Sequence, residues 1–215
     1  DANNIYDAGT KAMQSSKFKH STQLFEMNHL LTTAHIRQGF ITGDYKPDPG
    51  NKFPINERGH PRYITSNTMV DKTVNHLLCD EVLTPSISKY LIYDNGASQK
   101  GKGVAFHRRR FEARLHQYFM QNGTNEGYIL LVDFSGYYAN IPHDKCLEVL
   151  QTFLEREVED PETLAITEML LPLIFKTFEQ DVSRFTDKEI EAMMAGKIDP
   201  MLNYGVDPAL LTGEK

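Results

Sequence analysis

Apolar positions recur with a helical period along most of this chain, and run continuously at one place. Leu24, Phe25, Leu31 and Ile36 fall on one broad helical face, with Ser21 placed to cap the helix and Gly39 to end it. Between Gly43 and Pro61 the chain is rich in Gly, Pro, Asn and Asp. There Lys52-Phe53-Pro54-Ile55 and Arg62-Tyr63-Ile64-Thr65 flank Glu57-Arg58-Gly59-His60, which predicts a β-hairpin with a basic tip. Val70, Val74, Leu77, Leu78 and Val82 resume helical spacing, which Pro85 is expected to stop.

After a polar, glycine-rich loop from Asp94 to Gly103, Val104, His107, Phe111, Leu115 and Tyr118 line one face of a helix ending near Gly123; its other face is basic. Tyr128-Ile129-Leu130-Leu131-Val132 is the continuous apolar run expected of a strand buried on both faces, and it ends at Asp133. Helical spacing returns from Asp144 to about Val158, then in a helix opened by Pro161 and kinked at Pro172, then in a short one with the capping box Thr186-Asp187-Lys188-Glu189 that closes at Gly196. The tail from Lys197 to Lys215 has little periodicity, and no internal repeat or low-complexity tract interrupts the chain.

Composition narrows the class. With 215 residues, 40% hydrophobic and 24% charged, the chain can bury a sizeable core as one domain or two small lobes. No apolar run approaches the roughly 20 residues that span a bilayer, and Asp1-Ala2-Asn3-Asn4 has neither an initiator Met nor a signal-like segment, so a cytoplasmic protein with a trimmed N-terminus is expected. Cys79 and Cys146 lack metal or disulfide spacing and are expected to be free core thiols. The net charge of -6 hides an asymmetry: residues 1–115 carry 16 Lys and Arg against 11 Asp and Glu, whereas residues 116–215 carry 7 against 18. A basic half is the footprint of a bound polyanion, or simply solvated charge.

The candidate chemistry concentrates around Asp133. An acidic residue leaving a buried strand, followed by a compact turn and the aromatic pair Tyr137 and Tyr138, places a hard oxygen ligand beside backbone N–H groups at an exposed rim. Phosphoryl transfer can use that arrangement; so can an ordinary turn cap. This stretch resembles the first metal-binding motif of reverse transcriptases, in which an Asp is followed five positions later by an aromatic residue, here Asp133 and Tyr138. The resemblance implies that Asp133 is catalytic and, with the carbonyl of Phe134, ligates magnesium. It further implies that Ser135, Gly136 and Tyr137 offer N–H groups to a triphosphate, and that Tyr138 lies under the sugar and selects deoxynucleotides.

Two further stretches carry the same resemblance. Arg58-Gly-His-Pro-Arg62-Tyr-Ile-Thr, followed by Asp71-Lys-Thr-Val-Asn-His-Leu-Leu, looks like the basic fingers hairpin and following helix of bacterial members, which makes Arg62 the triphosphate grip and Arg58 an auxiliary contact. The segment from Gly96 through Gly101 to Arg114 resembles the loop and helix that precede the catalytic strand in group II intron-type and retron-type enzymes. Lys100, Lys102, Arg108, Arg109, Arg110 and Arg114 would then touch the template-primer backbone without reading sequence. Three consecutive arginines cannot all point one way on a helix, so at least one is expected to be structural or idle.

The resemblance covers roughly residues 20 to 155. Beyond Asn125 the family's second acidic pair is missing, and Tyr204-Gly-Val-Asp207 does not supply it, because Pro208 follows the single Asp. The expectation is therefore a fragment of a longer polymerase, of α+β class: residues 1–125 a mostly helical fingers lobe with the hairpin, residues 126–215 a partial palm. The implied parent adds deoxynucleotides to a DNA primer on an RNA template with two Mg2+ ions, and this fragment alone is expected to be inactive. An RNA-binding, maturase-like or scaffolding module with a vestigial site stays open, as does another palm-type polymerase. Oligomeric state and biological system are not legible.

Overall fold

The computed structural model describes residues 1–48, 50–57, 60–134, 137, 141–177, 187–195 and 197. Among the described residues the fold is mostly helical with one two-stranded antiparallel hairpin, compatible with an α+β class. Helices α1 (Ala2–Met13), α2 (His20–Met27) and α3 (His29–Thr42) lead to strands β1 (Asn51–Glu57) and β2 (His60–Ser66). There follow α4 (Met69–Leu77), a π-helical stretch Leu78–Leu83, α5 (Thr84–Ile87), a 3-10 turn Ser88–Tyr90, α6 (Val104–Asn122), α7 (His143–Glu157), α8 (Pro161–Lys176) and α9 (Asp187–Met194). Packing separates two compact units, Asp1–Ser86 with Gly136–Lys215, and Ile87–Ser135. Within the first unit, Leu170 of α8 shares one core cluster with Ile5, Ile36, Phe40, Tyr45, Val74 and Leu78.

The first unit owes its stability to three adjoining apolar clusters. Leu170 and Val74 are fully buried in the first. Ala12, Met13, Phe25 and Met69 form the second; Val82, Leu154 and Leu171 form the third, with Leu147, Leu150 and Phe175 against them. Helix α1 was not among the expected elements, although Ile5, Ala8, Gly9, Ala12 and Met13 recur at helical spacing along its buried face; the small residues at its centre let helices approach closely. The imidazole of buried His29 sits against Gly9, where an added Cβ would lie 2.3 Å from Nε2. It stacks on Tyr6 with centroids 4.0 Å apart.

Several expectations are corrected. The helix expected to run from Ser21 to Gly39 is two helices: it breaks at Asn28, whose side-chain amide donates to the Leu24 carbonyl at 3.0 Å, and α3 continues to Gly43, whose φ of 73° ends it. Lys19, not Ser21, precedes the first turn of α2, and Leu24 and Leu31 are exposed whereas Phe25 and Ile36 are buried. Pro85 does not stop the helical path: the π-helical stretch Leu78–Leu83 runs directly into α5, which contains it. Cys79 is exposed and Cys146 half-buried, so neither is a core thiol.

The largest correction concerns residues 128–132. They form no strand, and Leu130 and Leu131 are 85% and 90% exposed. A strand needs a neighbour to accept its backbone hydrogen bonds, and the described residues pair only β1 with β2. The predicted hairpin, by contrast, forms in full register from Asn51 opposite Ser66 to Glu57 opposite His60. Helices α7 and α8 also stand close to their expected spans; Asp160 caps α8 by accepting from the Thr163 N–H at 2.9 Å, and Pro161 follows it. Thr186 and Gly196, the expected ends of the last helix, lie outside the described residues, as does Tyr204-Gly-Val-Asp207.

Candidate nucleic-acid and nucleotide site

In the second unit, the loop after Tyr90 folds onto α6 through a small polar and aromatic cluster. Asn95 Oδ1 accepts from the Ala97 N–H at 3.0 Å, an Asx turn that starts the loop's reversal. Gly96 is required there: a Cβ would lie 2.0 Å from His107 Nε2 and 2.8 Å from the Lys102 carbonyl. The Lys102 ammonium then donates to the carbonyls of Tyr93 and Asn95, at 2.9 and 3.2 Å, and lies over the rings of Tyr93 and Phe106. Tyr93 and Phe106 meet edge to face at 5.7 Å.

Asp94 is the electrostatic centre of this cluster. Arg110 Nε donates to its Oδ1, and Arg114 Nη2 donates to its Oδ2 at 2.9 Å. The hydrogen bond from Arg110, then that from Arg114, holds the carboxyl down to about 2. The Arg110 guanidinium also lies 5.0 Å over the Tyr93 ring. Positions 106, 110 and 114 stand one turn apart, so a single stripe of α6 receives the loop. Asp94 was named in the sequence only as the start of a loop, since its pairing depends on residues 16 and 20 positions away.

The six basic residues singled out from the sequence therefore differ in state. Lys102, Arg110 and Arg114 are turned into the loop cluster, Arg114 also donating to Gln117 at 3.2 Å. Arg108 makes an exposed i,i+4 pair with Glu112 at 2.9 Å. Lys100 and Arg109 are exposed, with no hydrogen bond or ion pair among the described residues. Of the three consecutive arginines, Arg110 pairs with the loop and Arg108 with its own helix.

Beyond α6, Gly123 in the left-handed region closes the helix, and the Tyr118 hydroxyl donates to the Glu126 carbonyl at 2.7 Å. From there the chain runs exposed to Asp133 and Phe134, both at the surface. Tyr137 is exposed as well, whereas Ser135, Gly136 and Tyr138 lie outside the described residues. Among the described residues no group of three or more His, Cys, Asp or Glu gathers. Asp133 thus offers one carboxylate, which can serve one position of a magnesium shell but does not complete a two-ion set.

In the first unit, the root of the hairpin is fixed by a buried carboxylate. Asp71 of α4 accepts from the Tyr45 hydroxyl at 2.7 Å, the Thr68 hydroxyl at 2.5 Å and the Asp48 N–H at 3.3 Å. Burial, then the bond to Asp71, raises the Tyr45 phenol well above its usual value, so it stays a donor. These bonds anchor the chain just before Asn51, where β1 begins. The backbone of Arg62 lies in β2 opposite Ile55. Its side chain, and all of Arg58, lie outside the described residues.

No helix among the described residues is long and apolar enough to cross a membrane. No family model matches the chain, and no curated protein matches it.

Proposed function

We propose that this chain carries the nucleotide-gripping hairpin, the basic helix and the first metal-binding motif of an RNA-directed DNA polymerase. The supporting observation is the exposed carboxylate of Asp133, which follows an apolar run within the same unit as α6 and its exposed Arg108, Arg109 and Lys100. In this reading Asp133 and the Phe134 carbonyl hold Mg2+, which would supply charge neutralisation at the transferred phosphoryl group, with further carboxylates contributed by other residues. Arg62 and Arg58 grip the triphosphate, Ser135, Gly136 and Tyr137 cradle it, and Tyr138 excludes the 2′-hydroxyl. The partners are an RNA template, a DNA primer and deoxynucleotides.

The test is deoxynucleotide incorporation by the full-length protein carrying Asp133→Asn. Loss of synthesis with retained RNA binding supports the assignment; undiminished synthesis sinks it. Tyr138→Ala in the same protein should relax discrimination against ribonucleotides. The 215-residue chain alone should show no primer extension. A second reading is an RNA-binding, maturase-like or scaffolding module with a vestigial site, supported by the exposed Arg108 and Arg109 of α6. Under it, replacing Arg108 and Arg109 weakens RNA binding while Asp133→Asn changes nothing measurable.

A further inference from the structure

We propose that Asp94 is a built-in competitor for the phosphate groups that α6 binds, its carboxylate occupying the Arg110 and Arg114 guanidinium groups until a polynucleotide backbone displaces it. This rests on the reading of α6 as a polyanion-binding face. Two guanidinium groups one turn apart converge on the two oxygens of one carboxylate, a geometry a phosphodiester's two free oxygens can reproduce. The carboxylate stays ionised across the working pH range, so its competition is constant.

The contact is also displaceable. The Asp94 side chain is 32% exposed and that of Arg114 60%, and ion pairs at such exposure are weak, so exchanging one anion for another involves little net change. The loop has a second attachment: Lys102 holds the carbonyls of Tyr93 and Asn95 and lies over the Tyr93 ring. Asp94 can therefore let go while its neighbours Tyr93 and Asn95 stay bonded to Lys102, just ahead of α6. In the paired state it cancels one of the two positive charges on the stripe, which lowers the resting attraction of α6 for any polyanion.

The experiment titrates a short labelled single-stranded RNA with the wild-type chain and with Asp94→Asn over a series of salt concentrations. Freeing one cation should tighten binding about fivefold at 0.1 M salt and steepen the dependence of log K on log salt by about 0.7, the value for one more neutralised phosphate on a single strand. In an Arg110→Gln, Arg114→Gln background, Asp94→Asn should have no effect. Asp94→Glu, which keeps the charge, should bind like wild type and controls for loop integrity alongside helical circular dichroism. In the unsubstituted chain, the Arg110 Nε–H NMR signal should shift as RNA saturates it.

Weaker or equal binding by Asp94→Asn with its helix intact would overturn the inference. So would persistence of the effect without the two arginines, or an Arg110 signal that ignores RNA. If wild type binds RNA no better than a variant with Arg108→Gln and Arg109→Gln, the interface reading itself fails, and the inference with it.

Discussion

The two compact units respond differently to the same kind of instruction. In the first, apolar residues at helical spacing find partners from distant parts of the chain, so Ile5, Val74 and Leu170 close on one another. In the second, α6 forms with no buried residue, and the most apolar run of the chain, Ile129 to Val132, stands exposed beside it. A helix satisfies its backbone within its own turns; a strand does so only with a neighbour. Local backbone hydrogen bonds therefore suffice to give α6 a structure, whereas hydrophobic content alone leaves residues 128–132 without one.

Substitutions can break that contrast. The largest effect should come from Leu170→Ala in the first unit: about 2–5 kcal/mol lost in urea unfolding, the range for opening a cavity at a fully buried leucine. A cost under 1 kcal/mol would mean that the shared core is not a core. Asp71→Ala should follow, at roughly 2–3 kcal/mol, because it strips the buried Tyr45 hydroxyl of its acceptor. Amide exchange of residues 48–57 should rise in the same variant; protection unchanged there would detach the hairpin from its proposed root.

A smaller, pH-dependent effect should come from His29. Burial holds its imidazole below the ordinary value of 6.5, its Nε2 has no partner among the described residues, and the nearby charge is Glu26 on α2. The folded state thus prefers the neutral ring. Its contribution is present above pH 6.5 and is lost as the pH falls through the lower folded value. Comparing urea midpoints at neutral and mildly acidic pH, His29→Gln should flatten the slope seen in wild type; an unaltered slope would place the titration elsewhere. The smallest effect belongs to the second unit, where Leu131→Lys should change stability by no more than about 0.5 kcal/mol. A loss above 1 kcal/mol would show that this leucine is packed.

What could be read from the sequence follows the same division. Helix α6, with its end at Gly123, and the hairpin were legible because the hydrogen-bond partners of each lie a few residues away. Residues 128–132 were misread because continuous hydrophobicity signals burial, and burial depends on neighbours that a local pattern does not name. Helix α1 was legible but overlooked: Ile5, Ala8, Gly9, Ala12 and Met13 recur at i, i+3, i+4, i+7 and i+8, a helical face on which small residues stand in for large apolar ones. At the candidate site, composition identified the basic residues but not their state; that Arg110 and Arg114 converge on Asp94 is a product of the loop's path, which Gly96 and Lys102 determine.

The π-helical stretch Leu78–Leu83 sits where two of the three apolar clusters meet: Leu78 belongs to one and Val82 to the next. A widened turn holds one residue more than an α-helical path of the same height, and that surplus sets the azimuth of everything after it. Deleting a single residue here would tighten the helix and improve its hydrogen bonding. It would also rotate Val82 by about 100°, the angle of one α-helical step, away from Leu154 and Leu171. Evolution can lengthen or shorten the loops of this molecule with some freedom, but at this point its reading frame of packing is counted residue by residue.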